Sequence, residues 1–255
     1  MRPKNRRWSL AAATGALALG LAGTAAAADP HAAHRSAGAI QAQRGNTRVA
    51  DFDVVRAAIS IEGNTGVFRI QVAGRAGETR PAATGRFEGS DVHAYVWPTS
   101  LNSSAVGFEA DQGILALAVT FHPDFDDGAP GRKENRDVWH SHWVVMAPDP
   151  ACGPGALKVR DIPAGTQPRL PEDWPGVPLL ISSPDLPPVF SGGQVEVRVP
   201  LTRAPGLRET RFDGVTAGLR VNANLHAPLL CVAEVFDVAS GDLSLPGRAA
   251  PAGTR

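Results

Sequence analysis

What this 255-residue chain lacks narrows its function before what it has. No Gly-x-Ser-x-Gly nucleophile elbow occurs, and no Walker or Rossmann glycine pattern sits between a strand and a helix. The common serine-hydrolase and nucleotide-binding signatures are therefore missing. No segment sustains a helical period. The longest apolar stretch, Leu10 to Ala22, is too short and too rich in Ala and Gly for a transmembrane helix. Lysine is nearly absent: only Lys4, Lys133 and Lys158 stand among 25 basic residues, a compositional bias without functional content. Cysteine occurs only as Cys152 and Cys231, and methionine only as Met1 and Met146.

The first 28 residues read as a leader. Arg2, Lys4, Arg6 and Arg7 form a basic start, the weakly apolar stretch follows, and Ala25 to Ala28 offer small residues to a signal peptidase, with cleavage before Asp29. The pair Arg6-Arg7 resembles a twin-arginine (Tat) leader, the route that exports folded proteins, although Ser9 departs from the usual pattern after the pair. Removing four basic residues and no acidic one leaves 21 basic against 25 acidic, a net charge of −4. That balance argues against nucleic acid and anionic membrane surfaces as partners, and the mature chain holds no membrane span. In a periplasmic or extracellular setting, Cys152 and Cys231 are expected to form one disulfide.

Residues 29–50 are Ala-, Gln- and Arg-rich without periodicity and read as a flexible arm carrying His31 and His34. From Val55, apolar and polar residues alternate, Gly63-Asn64-Thr65-Gly66 turns the chain, and alternation resumes from Val67 to Ala73, which predicts a β-hairpin. Further strands are expected at 92–97, 114–121, 138–146, 157–162, 194–200, 215–225 and 229–238. About nine strands punctuated by 22 prolines and 27 glycines predict an all-β, antiparallel sandwich, immunoglobulin-like or jelly-roll-like, as one domain over 51–240. Residues 167–193 form a long Pro-rich connection that wraps the sandwich or covers a pocket, because Trp174, Leu179, Leu180 and Ile181 want burial. Residues 241–255 read as a disordered tail.

The sharpest chemical signal is Asp137-Val138-Trp139-His140-Ser141-His142-Trp143-Val144-Val145-Met146. On a strand, alternate side chains share a face, so His140, His142 and Met146 point one way, with the two imidazoles about 7 Å apart. Such a pair suits a transition metal, copper first because of the methionine and zinc second, with His93, His122 or His226 completing the set. The role implied is metal handling or electron transfer.

The run His140-Ser141-His142-Trp143 resembles the His-x-His-Trp strand of α-type carbonic anhydrases, which implies a zinc site. The family's third histidine would fall around 160–169, where this chain has none. Cupins also carry His-x-His with a glutamate shortly after, but here no acid follows before Asp149. Neither family is claimed.

A second cluster, His122-Pro123-Asp124-Phe125-Asp126-Asp127-Gly128, places three carboxylates in four residues. Asp124, Asp126 and Asp127 could hold Ca²⁺. If this loop folds back over the following strand, His122 and Asp124 approach His140 and the clusters merge into one mixed site. Two other readings stand beside this one. A metal-free sandwich would present Tyr95, Trp97, Trp139 and Trp143 to a small ligand or another exported protein. A zinc hydrolase or lyase would need an acid or base from Glu109, Asp124 or Glu134.

Overall fold

The computed structural model describes residues 35–36 and 38–253. The leader, His31 and His34 lie outside the described residues. Strands follow in the order β1 (Arg35–Ser36), β2 (Ala39–Gln41), β3 (Val54–Glu62), β4 (Thr65–Val72), β5 (Asp91–Pro98), β6 (Ile114–Phe121), β7 (His140–Pro148) and β8 (Leu157–Val159). After these come β9 (Ile181–Ser182), β10 (Val189–Ser191), β11 (Gln194–Pro200), β12 (Arg211–Phe212), β13 (Val215–Val221), β14 (Leu230–Val238), β15 (Gly247–Arg248) and β16 (Ala250–Pro251).

The fold is antiparallel all-β in two packed layers, and among the described residues only β16 joins its neighbour, β3, in parallel. One layer is an open sheet ordered β1-β2-β3-β4-β11-β10. The other runs β6-β5-β13-β14-β8-β7-β9, and β6 also pairs with β7. That last pairing closes β5, β6, β7, β8, β14 and β13 into a six-strand barrel. The sandwich expected from the sequence is thus an open sheet packed on the outside of a small barrel. Closure depends on the three residues of β8, whose Lys158 pairs with Cys231 of β14 and with Ala147 of β7.

The period of two then assigns each strand two cores. From β5, β6 and β7, Tyr95, Trp97, Leu115, Leu117, Val119, Trp143 and Val145 point out of the barrel. They meet Ile59, Phe68, Ile70, Val195 and Val197 of the open sheet. The alternate residues Val92, Ala94, Val96, Ala116, Ala118, Val144 and Met146 point inward, with Val215, Ala217 and Leu219 from β13. The aromatic face expected to meet a ligand is therefore the interlayer core. Tyr95 and Trp97 are fully buried, Phe68 packs edge-on against Trp97 and Trp143, and Trp139 packs against the same core while remaining half-buried. Of this face only Trp139 keeps part of its surface exposed. The solvent side of the open sheet carries charge instead, with Arg69 bridging Glu62 and Glu196.

Several boundaries differ from expectation. The first hairpin turns on Gly63-Asn64 alone, with Thr65 and Gly66 already paired in the sheet. The strand carrying the histidines begins at His140 rather than Val138, and β8 and β13 stop early at Val159 and Val221. The stretches read as arm and tail contribute strands: β2 pairs with β3 and buries Ala39 and Ile40, while β15 and β16 pair with β12 and β3. The Pro-rich connection straps the side of β7 not taken by β6. Val145 donates its amide to Leu180, β9 pairs with Trp143 and Val144, and Leu179, Leu180 and Ile181 are buried as expected.

The expected disulfide is present, Cys152 to Cys231, with Cα atoms 5.5 Å apart and a sequence separation of 79. It ties the turn after β7 to β14, across the gap that β8 spans. Closing so long a loop constrains the unfolded chain by about 4 kcal/mol in the chain-entropy model. The double variant Cys152→Ala/Cys231→Ala is expected to lose about this much stability in urea unfolding; an unchanged midpoint would show that the link adds nothing to barrel closure.

Candidate metal centre

The centre forms because β7 enters the barrel with His140 and His142 facing inward, and because the loop leaving β6 folds back over that end. His122 follows the last residue of β6, whose Thr120 pairs with His140 across the ladder. Five residues on, Asp127 reaches the same point. One ligand atom from each of His122, Asp127, His140 and His142 lies within 4.8 Å of all the others. His122 and His142 are 1% exposed and Asp127 is 6% exposed.

The Nε2 atoms of His122 and His140 stand 3.0 Å apart. Asp127 Oδ1 lies 3.1 Å from His140 Nε2, and its Oδ2 lies 3.3 Å from His122 Nε2 and 3.2 Å from His142 Nε2. Four donors about 2.1 Å from a tetrahedral ion stand about 3.4 Å from one another, so these spacings suit an ion at the centre.

The outer nitrogens fix which face each ring presents. His122 Nδ1 is 2.9 Å from the Phe125 carbonyl and His140 Nδ1 is 2.8 Å from the Val138 carbonyl. A carbonyl only accepts, so in both rings Nδ1 carries the hydrogen. His142 Nδ1 lies 3.3 Å from the Ser182 carbonyl and 3.1 Å from Ser183 Oγ. The single hydroxyl hydrogen of Ser183 is already donated to the Asp127 carbonyl at 2.6 Å, so His142 Nδ1 is again the donor. Each ring then turns its Nε2 toward the centre, the orientation that backbone carbonyls impose on metal-ligating histidines. His142 Nε2 is buried with no hydrogen-bond partner and lies 3.2 Å from Asp127 Oδ2. Nitrogens this close to one another and to a carboxylate need a proton or a metal ion between them.

The carboxylate is held as carefully. Asn135 donates Nδ2 to Asp127 Oδ1 at 2.9 Å and accepts the Asp127 amide at 3.3 Å. Burial pushes the Asp127 carboxyl up, but the charges of His142 and His122 and the hydrogen bonds to His122 and His140 outweigh it and hold it well below the carboxylate range. Burial lowers His140, against the opposing pull of Asp127. The site therefore keeps a carboxylate and at least one neutral imidazole together out of water, which is the ligand state a transition metal requires.

The other expected residues go elsewhere. His93 is on the outward face of β5, edge-on to Phe52 and Phe236 at 5.1 and 5.6 Å. His226 is exposed in the turn after β13, where its carbonyl accepts from Asn222. Met146 shares the inward face of β7 but pairs at the far end with Ile114 and Val159, about 13 Å along the strand from His142. Asp124 binds the amides of Thr84 and Gly85 at 2.8 and 2.7 Å, and Asp126 accepts the Asn135 amide at 2.8 Å. Of the three carboxylates expected to hold Ca²⁺, Asp124 is engaged by Thr84 and Gly85, Asp126 by the Asn135 amide, and Asp127 alone joins the histidines. Glu109 and Glu134 are exposed, and Glu134 pairs with Arg136.

The loop does fold back as the merged reading requires, with Asp127 in the role expected of Asp124. Sequence reasoning missed Asn135, Ser182 and Ser183 as the residues that orient the ligands. The two serines sit in the connection read as a cover for a pocket, which was the one available signal.

The centre opens on an apolar cavity of about 500 Å³ inside the barrel, which His122, Asp127 and His142 border at one end. Among the described residues, no helix is long and apolar enough to cross a membrane. Comparison with protein-family models, with curated proteins and with solved structures finds no match to this chain.

Orienting partners of this kind typically govern metal affinity by about 10- to 100-fold. Asn135→Ala is expected to weaken zinc binding by about that factor while the fold melts as before. Equal affinity in a competition titration with a chromogenic chelator would remove Asn135 from the centre.

Proposed function

We propose that this is an exported metal-binding protein whose barrel holds one transition-metal ion through His122, His140, His142 and Asp127. The observation that carries the reading is the convergence of three Nε2 atoms on one buried carboxylate, each ring fixed from behind by a backbone carbonyl. Three nitrogens and one oxygen without sulfur favour zinc over copper. The preference for copper drawn from the sequence rested on Met146, which stands at the other end of β7. Electron transfer loses its support with the same residue. Metal handling, or ligand binding at the metal, fits better than hydrolysis, because Glu109, Asp124 and Glu134 are all engaged or exposed away from the centre. The leader-like start and the Cys152–Cys231 disulfide support export.

The test is metal content of protein purified from the exported fraction without a histidine tag, beside the double variant His140→Ala/His142→Ala. One zinc per wild-type chain and none in the folded variant is the expected result. Metal-free wild type that also fails to take up added zinc, copper or iron would refute the reading.

A further inference from the structure

We infer that the barrel interior is a binding site for an apolar carboxylic acid, with the acid's head on the metal and its hydrocarbon body along the barrel. This rests on the metal reading above. Small closed barrels are ordinarily filled by their own side chains. Here the inward positions of three adjacent strands carry alanine: Ala94 of β5 faces Ala217 of β13 directly across the ladder, and Ala118 of β6 faces Val96. All three alanines are buried and border the 500 Å³ cavity. That volume falls within the range of about 300–1,000 Å³ used by small-molecule sites. Left empty, it would forfeit the packing contacts of its entire lining.

Polarity within the cavity is one-sided. His122, Asp126, Asp127, His142 and Thr120 lie together at the end where the metal ligands converge, while the rest of the wall is apolar. A divalent ion with Asp127 as its one anionic ligand retains one positive charge, which an anionic head would neutralise. His142 Nε2, buried and without a hydrogen-bond partner, faces the point where that charge would sit. Zinc coordination can expand from four donors to five, which would admit one carboxylate oxygen of the acid.

The cavity also reaches the surface through apolar residues at both ends of the barrel. Leu225, in the turn beyond β13, is 42% exposed, and Leu243, beyond β14, is 38% exposed. Both leucines hold left-handed backbone, with φ of 55° and 59°. Large side chains rarely adopt that conformation, and such outliers gather where ligands are clamped.

The probe is decanoate, titrated calorimetrically into the zinc-loaded full chain, with methyl decanoate as the head-blocked control. The expected result is one decanoate per chain, with the ester weaker by about tenfold or more. Val159→Trp, which fills the cavity at its Met146 end, about 13 Å along β7 from His142, should lose decanoate binding by a similar factor and keep its full zinc. Val159→Phe, a smaller intrusion, serves if the tryptophan variant does not fold, and is expected to weaken decanoate in the same direction. Zinc-loaded protein that ignores decanoate, or binds it equally in both folded variants, overturns the inference and leaves the metal reading intact. A chain that takes no zinc overturns both.

Discussion

A carboxylate buried in a low-dielectric interior must be compensated, and around Asp127 the compensation comes from three imidazoles and one amide rather than from lysine or arginine. Much else is arranged to keep this group together. Asn135 clamps Asp127 from the loop, Ser183 holds its carbonyl, and the same serine with Ser182 sets the tautomer of His142. The loop is anchored in turn by Asp124 on the amides of Thr84 and Gly85. Of the three acids that looked like a calcium loop, Asp124 and Asp126 therefore hold the loop's backbone while Asp127 faces the histidines.

Barrel closure is the second constraint, and it explains why the histidines face inward at all. In an open sandwich, the His140 and His142 face of β7 would lie on the solvent side. Pairing β6 with β7, and bridging β7 to β14 through β8, turns that face into an enclosed wall. The outward face carries the large aromatics and is sealed by the open sheet, so the two cores divide the labour: one supplies packing, the other supplies space and a polar end.

Much of this was legible in the sequence, for a physical reason: a period of two survives in the residue pattern whatever the tertiary context. It located most of the longer strands and put His140 and His142 on one face. It failed where a decision needed register. His93 alternates correctly within β5, but only the pairing of β5 with β13 and β6 shows that its face is the outer one. Met146 has the right parity and the wrong height. Asp124 and Asp127 lie in a loop, where no period discriminates between them, and hydrogen bonding by neighbours made the choice. β8 is three residues long, too short to announce that it closes a barrel, and the alanines that hollow the barrel are weak strand formers whose smallness carries meaning only once they face each other.

The ligand set is read most directly by zinc-edge X-ray absorption on the purified, zinc-loaded protein. The account predicts a first shell of nitrogen and oxygen only, at about 2.0–2.2 Å, with the multiple-scattering signature of three imidazoles. A sulfur scatterer at about 2.3 Å, or a shell with fewer than three imidazoles, would contradict it.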